Sequence, residues 1–377
     1  MARLLGWLAA CWIFALVALG QAEPACAPCG DRGMVACKLC ASKPCVSQRG
    51  YLHCSVEISC GDCGGARWRD CALCDKAPEK DLGALRAELA RWRHTRDSVD
   101  EHMARRDILH LDSKHYRLAF DLARSPFKAA SNPHEAAHAT LDLLERSWDE
   151  FVADSGAKPE ELTGIASVYL WSGEKDQEKA SSKWTLEKST SVAKLMGAEP
   201  VLSLCFGKGR LRDERDLERE FAHQLAHLWL SNVHKSVWLG GKKAGWLDEG
   251  YAHFCEQRRS GSIEVWCALS AKAQEDIGKW RFESEVLARS ADGAVVELAS
   301  LSGLDTVAIA PAQRLFAWSY VDYIVRAHPA RLAQLARVLQ SDKPTSEAIQ
   351  TALGVSLTDF QLAWSTWMKA NYSARKR

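Results

Sequence analysis

The sequence predicts an α+β chain: a small sheet with a helix pair, then an all-helical C-terminal part, all preceded by a small cysteine-rich module. Three observations carry this. Ten of the 14 cysteines crowd between Cys26 and Cys74. Short β-rich runs follow at 108–111, 116–120, 163–171 and 201–206. From Asp213 onward, apolar residues at helical spacing dominate. The chain divides on this reading into a leader (1–22), the cysteine module (23–76), a helical linker (77–107), a sheet-and-helix-pair domain (108–265) and its helical C-terminal part (266–377).

A chain of 377 residues can bury one large core and still carry a module. Lys and Arg total 49 against 48 Asp and Glu, so no global field asks for nucleic acid or a charged membrane. Arg3 is the only charge before an apolar run from Leu4 to Leu19, and Ala18–Gly20 or Gly20–Ala22 suits cleavage, the pattern of a secretion signal. The run is short for a spanning helix. Leu8-Ala-Ala-Cys11 resembles a lipoprotein box, but Cys11 sits inside the apolar run and reads as a bland leader cysteine. The mature chain is expected to be exported, periplasmic or extracellular. It meets a membrane only if the leader stays uncleaved or is lipidated.

Eight of the ten clustered cysteines form four C-x-x-C knuckles. Cys26, Cys29, Cys37 and Cys40 recur as Cys60, Cys63, Cys71 and Cys74, each 34 residues on. A C-x-x-C turn presents two thiolates to one zinc, and two knuckles complete a tetrahedron. The block resembles the cysteine-rich zinc domain of DnaJ-type chaperones. That resemblance implies that the first knuckle pairs with the fourth and the second with the third, for up to two zinc ions. A disulfide module is the competing reading in an exported chain, and Cys45 and Cys54, outside any knuckle, would suit a disulfide in either case. The block has too few apolar residues for a core, so metal or bridges must hold it.

Residues 77–106 read as a connecting helix (Leu82, Leu85, Leu89, Trp92) whose charges form a solvated face. Two alternating runs about a polar turn follow, and Thr163–Trp171 and Val201–Phe206 read as buried strands. The charged stretch from Gly173 to Ser191 reads as a mobile loop or hairpin. His134-Glu-Ala-Ala-His138 matches the complete His-Glu-x-x-His pentapeptide of zinc peptidases. Asn132 as N-cap, Pro133 at the first helical position and Glu135 as a capping-box acid place it in the first turn of a helix, so the structural reading is preferred to the metal one.

The helix that begins near Asp213–Asp216 carries His223 and His227, four apart and therefore on one face, where both imidazoles reach one metal ion. Gly245-Trp-Leu-Asp-Glu-Gly-Tyr-Ala252 follows after a basic loop. Here the chain resembles the gluzincin peptidases, the thermolysin-like and aminopeptidase-like zinc enzymes, whose third ligand is the glutamate of W-L-x-E-G-x-A. Trp246, Leu247, Glu249, Gly250 and Ala252 match that segment, and the resemblance extends more loosely over 108–372. It implies a single zinc held by His223, His227 and Glu249, with a fourth position open. Three helices and the closing segment to Tyr372 look like the end of such a domain.

Two departures bear on activity. The family's general-base glutamate is Gln224 here, which keeps the shape but accepts no proton; losing such a base typically costs on the order of 10²- to 10⁴-fold in rate. Phe316 falls where the resemblance expects a transition-state tyrosine, although Tyr320 and Tyr323 are near in sequence. His253, one turn past Glu249, reads as a plain helix residue. The expected protein is therefore an exported, catalytically degenerate peptidase-like zinc binder whose cleft takes a peptide or partner protein, and no nucleic acid. An active zinc peptidase using a substitute base such as Glu220, and a chaperone-like protein acting through the cysteine module, are the alternatives.

Overall fold

The computed structural model describes residues 26–41, 53–55, 60–162, 164–207, 211–234, 237–267 and 281–373. The leader, Cys45 and the side chain of Cys40 lie outside the described residues. Two compact units emerge, one within Met1–Pro44 and Ser59–Ala90, the other within Cys45–Ile58 and Arg91–Arg377. The chain segment holding Cys54 thus belongs to the large unit, and the start of the linker helix to the small one.

In the small unit, strand β1 (Met34–Ala36) pairs antiparallel with a later strand at Trp68–Asp70. A single helical turn, α1 (Lys38–Ala41), follows β1. Both glycine-flanked knuckles close alike: Gly30 N–H donates to the Cys26 carbonyl and Gly64 N–H to that of Cys60, each at 2.7 Å. Gly30 and Gly64 take φ of 54° and 58°, the left-handed region that glycine enters without a Cβ penalty. The internal repeat is therefore a repeat of turn geometry as well as of cysteines.

The large unit is built on a six-stranded sheet. Its members in chain order are β2 (His53–Cys54), β4 (Leu109–Asp112), β5 (Tyr116–Asp121), β6 (Ala166–Trp171), β7 (Val192–Leu195) and β8 (Val201–Cys205), the small unit's Trp68–Asp70 being β3. The spatial order is β2-β4-β5-β6-β8-β7. The central pairs β5–β6 and β6–β8 are parallel and the outer pairs antiparallel. Every residue of β8 is buried, as an unbroken apolar run in a covered strand should be.

Helix α2 (Leu82–Met103) buries Val99 and Met103 against Ile108, Ala119, Tyr169 and Trp171. Helix α3 (Pro133–Ser155) has Asn132 as its cap, accepting the Glu135 N–H, and ends at Gly156 in the left-handed conformation. The stretch expected as a loop at 173–191 instead contains helix α4 (Glu174–Trp184) followed by β7. Its buried face is Gln177, Ala180 and Ser181, with Gln177 bonded to the Ser203 carbonyl at 3.1 Å and accepting from the Ser203 hydroxyl at 2.7 Å.

Next come the two helices of the site, α5 (Glu214–Ser231) and α6 (Gly245–Ser260), then α7 (Phe282–Ala291), the short α8 (Leu298–Leu301), α9 (Pro311–Ala327), α10 (Leu332–Gln340), α11 (Thr345–Leu353) and α12 (Leu357–Asn371). Small sheet, helix pair and helical C-terminal part together make a mixed α/β chain of the α+β kind. No described helix is long and apolar enough to cross a membrane.

Candidate metal centre

Helix α5 starts at Asp213, whose carboxylate accepts the Asp216 N–H at 3.0 Å, with Glu214 and Asp216 at its positive end. It is buried on nearly all sides: Trp229 donates to the Tyr116 hydroxyl of β5 at 2.7 Å, and Leu217, Phe221, Leu225 and Leu228 join the main core. A helix enclosed this way holds its histidines in fixed positions. His223 and His227 are fully buried and their Nε2 atoms stand 3.2 Å apart.

Helix α6 brings in the third donor. It packs on α9 so closely that a Cβ at Gly250 would stand 2.6 Å from the Ala317 carbonyl oxygen. Glu249 is fully buried, and its two oxygens have different duties. Oε1 takes a hydrogen bond from the Arg314 guanidinium and lies 3.2 Å from His253 Nε2. Oε2 accepts no hydrogen bond among the described residues and lies 3.6 Å from His227 Nε2. Burial works to raise the Glu249 carboxyl, yet the charges of Arg314, His253 and His223 outweigh it and hold it well below the usual range, so it is an anion. A buried carboxylate oxygen without a proton donor, facing the His227 Nε2, is the deficit a cation fills.

A fourth donor comes from outside both helices. Cys267 Sγ lies 3.4 Å from His223 Nε2 and 3.5 Å from His227 Nε2, and the four donor atoms are all within 4.8 Å of one another. Nitrogen ligands about 2.05 Å from a tetrahedral metal are about 3.3 Å apart, close to the separation here. His223, His227, Glu249 and Cys267 could therefore hold one metal ion.

The far side of each imidazole is held by a carboxylate. His227 Nδ1 is 2.8 Å from Asp248 Oδ1, and the other Asp248 oxygen accepts from Trp238 Nε1 (2.9 Å) and the Thr306 hydroxyl (2.7 Å). His223 Nδ1 is 3.2 Å from Glu256 Oε2, whose partner oxygen accepts the Val265 N–H at 2.8 Å. Occupying Nδ1 leaves Nε2 for the ligand role, the arrangement by which carboxylates orient metal-binding histidines. Burial depresses the His223 imidazole well below its ordinary value. Burial pulls His227 the same way, but Asp248 reverses it and raises that imidazole to about 9. His253, expected as an ordinary helix residue, is fully buried between Glu249 and Glu256 and serves both.

Gln224 lies beside this cluster with both ends of its amide engaged. Its Nε2 donates to Glu220 Oε1 at 2.8 Å, and its Oε1 accepts from Lys194 Nζ of β7 at 2.7 Å. Lys194 also donates to Cys267 Sγ at 3.2 Å. Burial opposes the Lys194 charge, but Cys267, Asp248 and Glu249 outweigh it and keep the amine above its ordinary value, so it is a cation and no base. Phe316 packs edge-on against Trp364, 6.1 Å between ring centres. Tyr320 hydroxyl bonds the Val296 carbonyl and Gln361, and Tyr323 meets His328. The residue that α9 directs to the site is Arg314.

Cys267, Lys194, Asp248, Glu256 and Arg314 had no part in the sequence reading. Glu256 alone carried a signal: with Glu249 and His253 it follows the i, i+4, i+7 spacing of one helix face. In the small unit, Cys26 Sγ is 3.8 Å from Cys71 and Cys29 Sγ 3.4 Å from Cys74, joining the first knuckle to the fourth. Cys37 gathers with Cys60 and Cys63, joining the second knuckle to the third. Tetrahedral thiolates about 2.3 Å from a metal are about 3.8 Å apart, whereas a disulfide is about 2.05 Å long. Both groups could hold metal ions. No protein-family model matches the chain, and no curated protein is similar to it.

Proposed function

We propose that this is an exported, zinc-binding, gluzincin-like protein whose hydrolytic site is closed, and that it works as a binding protein for a peptide or partner chain. The observation that carries the reading is Cys267, whose sulfur stands within reach of both imidazole Nε2 atoms where the resemblance calls for an open position. Zinc in an open His₂Glu set supplies a Lewis acid for hydrolysis, whereas in a four-ligand set it is a structural cross-link. Three further features point the same way. Gln224 is no base, its amide is locked between Lys194 and Glu220, and α9 turns Arg314 onto Glu249. Glu220 is itself bonded to the Gln224 amide, which argues against its use as a substitute base. In the small unit, the DnaJ-like pairing of knuckles supports up to two more zinc ions, and Leu73, 75% exposed, offers apolar contact area there.

The test is a peptide-library digest with the native zinc-loaded protein, Gln224→Glu, and Gln224→Glu combined with Cys267→Ser. No cleavage by the native chain or the single variant is expected, and turnover in the double variant would be the strongest support. Cleavage by the native protein that disappears in His223→Ala would overturn the closed-site reading. Cobalt replacing zinc provides a readout independent of activity: Cys267→Ser should remove part of the thiolate-to-cobalt absorption without lowering the metal count.

A further inference from the structure

We propose that Cys54, His134 and His138 form another metal site of the large unit, one that takes a thiophilic divalent cation, zinc foremost. It is independent of the peptidase-like reading and shares no residue with the centre on α5 and α6. His134 and His138 are one turn apart at the start of α3, with their Nε2 atoms 3.1 Å from each other and their ring planes 80° apart. Cys54, 1% exposed in the edge strand β2, places its sulfur 3.3 Å from His134 Nε2. The three donor atoms lie within 4.8 Å of one another. Two imidazoles meeting Nε2 to Nε2 can share only one proton between them, and that alone would make a single weak hydrogen bond. A thiol converging on the same point turns the pair into a Cys-His₂ set at zinc-like separations.

The acid of the pentapeptide takes no part. Glu135 Oε2 accepts from the Ser131 N–H at 2.7 Å and the Ser131 hydroxyl at 2.8 Å, while its own N–H donates to the Asn132 cap. With its glutamate turned to the helix cap, the motif keeps the metal-holding half of its chemistry and lacks the general base. What the ion would do follows from where its ligands come from. Among the described residues β2 is a two-residue edge strand paired with β4, Cys54 opposite Leu111. A cation bridging Cys54 to α3 would clamp that strand onto the large unit.

Metal analysis of the full-length protein tests this. Cys54→Ser and His138→Asn should each lose about one zinc per chain relative to native protein, while Glu135→Gln should lose none. Equal zinc in all four proteins would overturn the proposal, as would a Cys45–Cys54 disulfide found by non-reducing peptide mapping of the native chain. Should either ligand variant fail to fold, hydrogen exchange on the native chain with and without chelator decides instead. Peptides covering 53–55 and the first two turns of α3 should lose protection when metal is removed; unchanged exchange there would refute the site.

Discussion

Asp248 and Glu249 are neighbours in sequence with opposite tasks at one histidine. Glu249 turns an oxygen toward His227 Nε2, while Asp248 holds Nδ1 of the same ring from behind. Removing the charge at Asp248 should leave the ligand set intact but loosen its aim. Carboxylates in this position typically contribute 10- to 100-fold in metal affinity, so Asp248→Asn is expected to weaken zinc binding at this centre by about that much in a competition titration with a chromogenic chelator. An unchanged affinity would mean that helix packing alone orients His227. The contrast also explains what the sequence could disclose. His223, His227 and Glu249 were legible because a spacing of four and a Trp-Leu-x-Glu-Gly segment are local patterns. Cys267 and Lys194 were not, since nothing near them in the chain marks them as ligand or partner; only the folded distances do.

Gly250 illustrates what can be read at the level of elements. In sequence it is one letter of a motif; in the fold it is where α6 meets α9, with the Ala317 carbonyl 2.6 Å and a Val321 methyl 2.9 Å from where a Cβ would be. Alanine would gain about 1 kcal/mol of helix propensity. It would also force apart two helices that hold Glu249 and Arg314, and overpacking of this kind costs about 1–3 kcal/mol. Gly250→Ala should therefore lower the urea midpoint in spite of its better propensity, and a rise would show that the helices part freely. On the same interface helix, burial pushes the Asp322 carboxyl up to about 6, with Arg326 at 2.7 Å opposing. A carboxyl whose folded value lies above the unfolded one contributes stability below about pH 4 and loses it as pH rises through 6. Two pKa units correspond to about 3 kcal/mol, so Asp322→Asn should be more stable than the native chain at pH 8, with the gap shrinking by pH 4. A gap that does not change with pH would refute this. Most helices and four strands were evident from periodicity and β-rich runs, but α4 was not. Its outward face is Glu, Lys, Asp and Lys, its buried stripe is Gln177, Ala180 and Ser181, and its one large apolar residue is Trp184 at the last position, which sets up no helical period; Gln177 is satisfied by bonds to Ser203 that only the fold provides.

The two units differ in what their stability rests on, and metal removal should separate them. Among its described residues the small unit has strands of three residues, the single turn of α1, the start of α2 and few buried apolar side chains outside its cysteines: Met34, Ala66, Leu82 and Leu89. A segment of that kind cannot offset its chain entropy by burial, so ions that its thiols could hold are expected to stand in for a core. The large unit has a continuous apolar core that includes Phe360, Trp364 and Met368 of α12 and Ile349 of α11, none of them near a metal donor in the chain. Chelation should therefore abolish hydrogen-exchange protection at Cys37 and Cys71, whose amides bond the Arg67 and Gly33 carbonyls, while α12 keeps its protection. Around the α5–α6 centre the outcome is intermediate. Without an ion, His223, His227 and Glu249 remain buried with Arg314, Asp248 and Glu256 balancing their charge, so the helices should stay formed but exchange faster near Cys267. Simultaneous loss throughout the chain would mean that the large core depends on its metal after all, and protection retained at Cys37 and Cys71 would mean that bridges, not ions, hold the small unit.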